Sequence, residues 1–292
     1  MRIAVTGRSG QVDTSLQAVA DAEGVELIRL GRPEIDLARP DSLAGPLRAA
    51  RPDVIVSAAA FTAVDKAESE AELAQKVNGD GPGALATVAA DLGVPILHLS
   101  TDYVFAGDKE GRYTENDPAA PGNAYGRSKL SGERQVAAAA HNHVILRTSW
   151  VYSPYGNNFV KTMLRLGETR DVIQVVADQR GCPTYAPDIA AALLRVARRV
   201  AVDDDPALRG IFHMAGPEDT NWAEFARAIF NGAETHGRRA VRVDPIPTSA
   251  YPTPARRPAN SRLDSGRLAA TYGVVLPSWR ASLTRCLDTL LN

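Results

Sequence analysis

Residues 3–16 read IAVTGRSGQVDTSL: an apolar run, two glycines (Gly7 and Gly10), then a helix-forming stretch from Gln11. Strand, tight glycine turn and helix in that order form the opening unit of a doubly wound α/β sheet. Gly7 and Gly10 let the backbone turn sharply and approach a pyrophosphate. The free N–H groups and positive dipole end of the helix beginning near Gln11 then hold that anion. The third position of such a loop is usually glycine, for close helix–strand packing, and here it is Asp13. A carboxylate in a first helical turn suits the dipole. Beside a pyrophosphate, however, it repels, and its bulk pushes the helix outward, so Asp13 is expected to weaken cofactor binding without disturbing the fold.

The same rhythm continues along the chain. Short aliphatic runs at 2–6, 25–30, 53–57, 94–100 and 143–148 alternate with Ala-, Leu-, Glu- and Arg-rich stretches at 11–22, 41–50, 67–91 and 125–140. Several of the runs are apolar throughout, as in parallel strands covered on both faces, and Asp91 and Gly93 mark a turn closing the third helix. The pattern predicts an α/β fold: a Rossmann-type doubly wound parallel sheet with a smaller C-terminal substrate-binding domain. The boundary falls near residue 150. Residues 1–150 are read as the NAD(P)-binding domain, and 151–292 as mainly the substrate-binding domain, with later segments free to return to the first. In that second part 157–166, 187–200, 222–230 and 278–291 read as helices and 210–214 as a strand. The stretch TSAYPTPARRPANSRLD (248–264) is too rich in Pro, Arg and Ser for regular structure.

Lys plus Arg (33) nearly balances Asp plus Glu (34), so no global field draws in nucleic acid or an acidic membrane. Cys182 and Cys286 are too few for a disulfide framework and lack metal-ligand spacing. The start MRIAVTGRSG has no basic region followed by a long apolar stretch, and no window is apolar enough to span a bilayer. The expectation is a cytoplasmic protein, monomer or homodimer, with no bound metal.

Three further stretches bear on chemistry. In NAYGRSKLSGERQVAAAA (123–140) Tyr125 and Lys129 lie one helical turn apart on one face. A phenol titrates near 10, and a cation held close brings it towards the working range of a general acid. HLSTDYVF (98–105) places Thr101 where the fourth strand ends, and there its hydroxyl can bind the carbonyl oxygen that Tyr125 protonates. In LIRLGRPEIDL (27–37) no acid stands directly at the end of the second strand to take a ribose 2′-hydroxyl. Arg32 is there instead, with Arg8 in the glycine loop. That pair favours a 2′-phosphate and hence NADPH, with NADH as the alternative if both arginines are only solvated surface groups.

With these motifs in this order the chain resembles the extended short-chain dehydrogenase/reductases, and within them the branch that completes dTDP-L-rhamnose. RPDVIVSAAAFTAVDKAE (51–68), LSTDYVF (99–105), YGRSKLSGE (125–133), RTSWVYSPYGNNFVKTML (147–164), DQRGCPTYAPDIA (178–190) and RPANSRLD (257–264) carry the resemblance over nearly the whole length. It implies hydride transfer from a nicotinamide to the C4 ketone of dTDP-4-dehydro-6-deoxy-L-mannose. On it, Tyr125 is the proton donor, Lys129 its modulator and ribose ligand, and Thr101 with Asp102 binds the substrate carbonyl. Gly10, Gln11 and Val12 lie against the pyrophosphate, Asp36 and Leu37 flank the adenine, and Ala60, Phe61 and Thr62 line the cofactor groove. Trp150 presses on the deoxysugar, the bland account being a core aromatic. Arg257 is a candidate for the nucleotide diphosphate, or else part of an exposed basic loop. Some members of the family bind magnesium between subunits through a glutamate just after the glycine loop; Ser15 stands at that place. The alternatives are a reductase or epimerase of another nucleotide sugar, and a non-catalytic regulatory subunit of the kind that partners methionine adenosyltransferase. A protein that only binds has no need of Thr101, Tyr125 and Lys129 in register.

Overall fold

A computed structural model describes residues 1–292. Six parallel strands build the central sheet: β1 (Arg2–Thr6), β2 (Glu26–Leu30), β3 (Val54–Ser57), β4 (Ile96–Thr101), β5 (His143–Thr148) and β10 (Gly210–His213), in the spatial order β10-β5-β4-β3-β1-β2. The order reverses beside β1, and at such a switch the carboxyl ends of the strands leave a crevice for a ligand. This is the Rossmann-type sheet that the alternating pattern predicts.

Residues alternate between the two faces of the sheet. Ile3, Val5, Val54, Val56, Leu97, Leu99, Val144 and Leu146 meet α1 (Gln11–Ala22) and α8 (Ala186–Val200) in one core. Ala4, Ile55, Ile96 and Ile145 meet α2 (Ala44–Ala50), α5 (Gly81–Leu92) and α6 (Ala124–Ala139) in another. Each strand is therefore covered twice, which explains why its sequence is apolar almost without interruption. A third core joins α7 (Phe159–Gly167), α9 (Trp222–Glu234), α11 (Trp279–Leu291) and the parallel pair β7 (Val172–Val176) with β12 (Arg242–Ile246). Smaller strands complete the C-terminal region: β8 (Arg180–Gly181) lies between β11 (Thr220–Asn221) and β13 (Asn260–Ser261), and β6 (Val151–Tyr152) pairs with β9 (Thr184–Tyr185). No helix is long and apolar enough to cross a membrane.

The structure departs from the sequence reading at 67–91. One continuous helix was expected; α3 (Val64–Ser69), α4 (Ala71–Gln75), a π-helical turn (Lys76–Asp80) and α5 stand there instead. Gly79, Gly81, Pro82 and Gly83 weaken regular propagation. The π turn also carries Asn78 into the interior, where α6 settles on it: Gly132 leaves no room for a side chain above the Asn78 carbonyl. Gly126 does the same over the carbonyl of Tyr103. The β7–β12 pair was also not foreseen, since Pro245 sits inside β12 and hides its strand character.

Candidate active site

The glycine loop leads from β1 into α1. Gly10 is the N-cap, with extended backbone, and no side chain caps the first turn, so its N–H groups are free for an anion. The N–H of Gly7 donates to the Leu30 carbonyl at 2.7 Å, fixing the loop to β2. Asp13 does not stand open beside this cradle. Its side chain is 3% exposed and pairs with Arg29 Nη2 at 2.7 Å. Arg29 also donates to the Arg8 carbonyl within the loop. The carboxylate lies under both glycines, with Oδ1 only 2.7 Å from where a Cβ on Gly10 would be. The expected repulsion is thus largely cancelled by a guanidinium, and the acid becomes a strut for the loop. Residues 7–13 accordingly fit the pyrophosphate of a dinucleotide.

Gln11 works sideways. Its Oε1 accepts from Ser153 Oγ at 2.8 Å and Asn158 Nδ2 at 3.0 Å, and Asn158 in turn caps α7. Ser15 Oγ donates to the Gln11 carbonyl at 2.7 Å and is buried. Val12 packs partly buried against the first core. Arg8 crosses over Gly31 at the end of β2 and pairs with Glu34 at 2.9 Å. Asp36 accepts from the Ala38 N–H at 3.0 Å, whereas the side chain of Leu37 is in the core. The segment Ala60–Phe61–Thr62 is held by a residue that the sequence reading missed. Asn78 Oδ1 accepts from the Phe61 N–H at 2.7 Å, and Nδ2 donates to the Phe61 carbonyl and to Ser128 Oγ, both at 3.0 Å. Ser128 donates to the Tyr125 carbonyl at 2.8 Å, so one asparagine ties the groove to the helix of the tyrosine.

Asn123 caps α6, accepting from the Gly126 N–H at 2.8 Å, and this fixes where Tyr125 leaves the first turn. Tyr125 is buried, edge-on to the Tyr103 ring at 5.6 Å. Burial pushes its phenol well above the usual tyrosine value, and the nearby Thr101 hydroxyl works the other way. Thr101 Oγ1 also lies 3.1 Å from Asp102 Oδ1. Burial raises the Asp102 carboxyl to about 7, against the hydroxyls of Ser261 and Thr101. A strand end and a helix start thus bring Thr101, Asp102 and Tyr125 together.

Lys129 is placed differently from that reading. It is buried, and its Nζ donates to the Leu99 carbonyl at 2.7 Å, with His98 Nε2 at 3.4 Å. It is not among the groups that move the Tyr125 phenol. One turn of spacing sets the face of the helix but leaves a four-carbon stem free to choose its acceptor. Burial brings Lys129 down to about 8, and Glu133 opposes this.

Trp150 stands just beyond β5 and reaches into the C-terminal region. Its indole stacks on Trp222 at 3.5 Å and 8° and lies against Gly181, where no side chain would fit. Its φ of 48° is in the left-handed region, a conformation non-glycine residues seldom adopt away from functional sites. Arg257 pairs with Asp65 at 2.7 Å, beside Tyr103.

Thr101 at the end of β4, buried Tyr125 and Lys129 one turn apart on α6 and an uncapped glycine turn at the first βα junction define an oxidoreductase of the extended short-chain dehydrogenase/reductase class. More narrowly, the chain belongs to the dTDP-4-dehydrorhamnose reductase family: the family model described as RmlD substrate binding domain matches residues 1–292. A dTDP-4-dehydrorhamnose reductase of Sinorhizobium fredii is 53% identical over all of this chain and 98% of its own length. That of Escherichia coli K12 is 41% identical over 100% and 99%. Among solved structures, the reductase of Clostridium acetobutylicum superposes with a TM-score of 0.92 at 37% identity, covering 99% of both chains. The Bacillus anthracis reductase, in complex with NADP, gives 0.92 at 35% identity over the same shares.

Proposed function

We propose that this enzyme reduces the C4 ketone of dTDP-4-dehydro-6-deoxy-L-mannose to dTDP-L-rhamnose, with NADPH as the preferred reductant. The observation that carries this reading is that Thr101 at the end of β4 and Tyr125 in the first turn of α6 are both buried, in a chain related over its full length to reductases of that sugar. The bound nicotinamide supplies the hydride. Thr101 orients the carbonyl oxygen. Tyr125, kept protonated by burial, donates its proton to that oxygen as negative charge develops there. Lys129 binds the nicotinamide ribose hydroxyls from below, and Asp102 lies beside the carbonyl as a second substrate ligand.

Gly7, Gly10, Gln11 and Val12 receive the pyrophosphate. Asp36 and Leu37 flank the adenine, and Ala60, Phe61 and Thr62 line the groove. Arg8 and Arg32 near the end of β2 favour a 2′-phosphate, in keeping with the NADP bound to the Bacillus anthracis relative. Residues 1–150, with α8 and β10 added to them, serve the cofactor; most of 151–292 serves the sugar nucleotide. There Trp150 contacts the deoxysugar, and Arg257 is the arginine for the diphosphate once it exchanges Asp65 for phosphate oxygens.

Purified protein mixed with the dTDP-4-dehydro sugar and NADPH is expected to oxidise the cofactor, followed as loss of its near-ultraviolet absorbance, and to do so less well with NADH. No turnover with either cofactor overturns the proposal. Tyr125→Phe is expected to bind NADPH normally and to lose about 10²–10⁴-fold in kcat; unchanged turnover means that the proton comes from elsewhere.

A further inference from the structure

One face of the central sheet changes character just before its carboxyl edge. Ile55 and Ile96 are apolar, but the next residues on that face, Ser57 of β3 with His98 and Ser100 of β4, are polar and buried. Three polar side chains in the middle of a doubly covered sheet are costly unless each finds a partner. Ser100 donates to Glu133 Oε1 at 2.6 Å, and Ser57 Oγ lies 3.0 Å from His98 Nδ1. That leaves His98 Nε2, which faces Lys129 Nζ.

We propose that His98 is a positioning residue for the reaction: its bare Nε2 accepts an N–H of Lys129 and, with the Leu99 carbonyl, aims the ammonium at the cofactor groove. The tautomer follows from donor and acceptor counting. An ammonium has only donors, so Nε2 is the acceptor and Nδ1 carries the proton, which it donates to Ser57 Oγ. The imidazole stays neutral, because burial and the Lys129 charge both push it well below the ordinary histidine value. With two N–H groups of Lys129 committed, the third is left for a ribose hydroxyl.

The other groups around Lys129 do not do this work. Glu133, one turn along α6, favours the charged lysine but already takes two hydrogen bonds from Arg147 of β5 and one from Ser100. Tyr125, one turn before it, is kept neutral by burial. The acceptors in direct contact with the ammonium are the Leu99 carbonyl and His98 Nε2, and only the second belongs to a side chain. Its removal lets the titration of Lys129 fall.

The inference rests on the function proposed above, but one of its two readouts needs no turnover. Lys129 shares the chain with Lys66, Lys76, Lys109 and Lys161 only. Its signal in protein with isotope-labelled lysine side chains is assigned by comparison with Lys129→Arg and titrated by NMR without cofactor. In His98→Leu the midpoint is expected to fall by about one pH unit, an effect in the range of a lost hydrogen bond to a charged group. The basic limb of the kcat profile should follow it, with kcat down roughly tenfold to a hundredfold and KM for NADPH changed less. His98→Gln, whose amide oxygen reaches the position of Nε2, should restore both readouts. His98→Asn keeps a donor for Ser57 but falls short of Lys129, and should behave like the leucine variant. A folded His98→Leu protein with an unmoved lysine titration overturns the proposal, whatever its activity. If the leucine variant does not fold, Gln and Asn decide: equal midpoints overturn the proposal, and a lower midpoint in Asn alone upholds it. A wild-type protein without turnover defeats the proposed function and leaves the titration result standing.

Discussion

Two carboxylate–guanidinium pairs sit on opposite faces of the same sheet, Asp13–Arg29 between α1 and β2 and Glu133–Arg147 between α6 and β5. The first is at the rim. Its arginine is 27% exposed, and it makes one side-chain contact plus a bond to the loop carbonyl of Arg8. The second is sealed, at 4% and 2% exposure, bidentate at 2.8 and 2.6 Å, and reinforced by Ser100 and by the Phe105 ring 4.9 Å from the guanidinium. The rim pair stands where a glycine is usual and recovers by charge pairing what close packing would have given. The sealed pair holds α6 against β4 and β5. Identical chemistry thus does a local job in one place and a global one in the other.

The sharpest way to break that contrast is Glu133→Ala. It leaves Arg147 charged and buried, and should cost about 3–5 kcal/mol in denaturant unfolding. A loss under ~1 kcal/mol would show that the sealed pair is no more structural than the rim pair. Arg29→Ala should cost less, about 1–3 kcal/mol, because water can reach the orphaned Asp13 from the loop side. It should also raise the NADPH dissociation constant, since the unpaired anion then faces the pyrophosphate. The companion Asp13→Gly should alter that constant by less than about fivefold, or ~1 kcal/mol, because Arg29 already cancels the charge. Marked tightening would mean that the carboxylate repels the cofactor despite its partner.

A pH test separates burial with a charged partner from burial without one. Asp102 has no guanidinium, and Oδ2 has no hydrogen-bond partner. Its carboxyl is raised to about 7 from an ordinary value of 3.8. Between those values the folded chain binds a proton that the unfolded chain has released, so the contribution of Asp102 to stability falls as pH rises, by at most ~1.4 kcal/mol per unit. Unfolding midpoints at pH 5 and pH 7.5 should therefore differ more in the native protein than in Asp102→Asn. Equal differences would place the carboxyl back in the ordinary range.

Much of the molecule was legible in advance because local rules governed it. The glycine turn between β1 and α1, the apolar runs of a doubly covered sheet and the single-face spacing of Tyr125 and Lys129 are each set by a few neighbouring residues. What stayed hidden depends on distance in the chain. Nothing near Asp13 in sequence points to Arg29, and nothing in YxxxK says that the lysine will reach back to Leu99 and His98. The broken helix at 64–92 was partly announced by its glycines and Pro82, but the inward turn of Asn78 appears only when Phe61 and Ser128 are brought around it. Trp150 read as a core aromatic from its neighbours alone; its stack on Trp222 joins residues from separate elements.

That stack gives the protein an optical handle. Of its three tryptophans, Trp279 is fully enclosed in the third core, while Trp150 and Trp222 lie face to face at 3.5 Å, partly open to solvent. Two indoles so close couple their electronic transitions, so the near-ultraviolet circular dichroism of the native chain is expected to be dominated by this pair beside Gly181. Arrival of a ligand there can be watched without a label, apart from any signal of the nicotinamide.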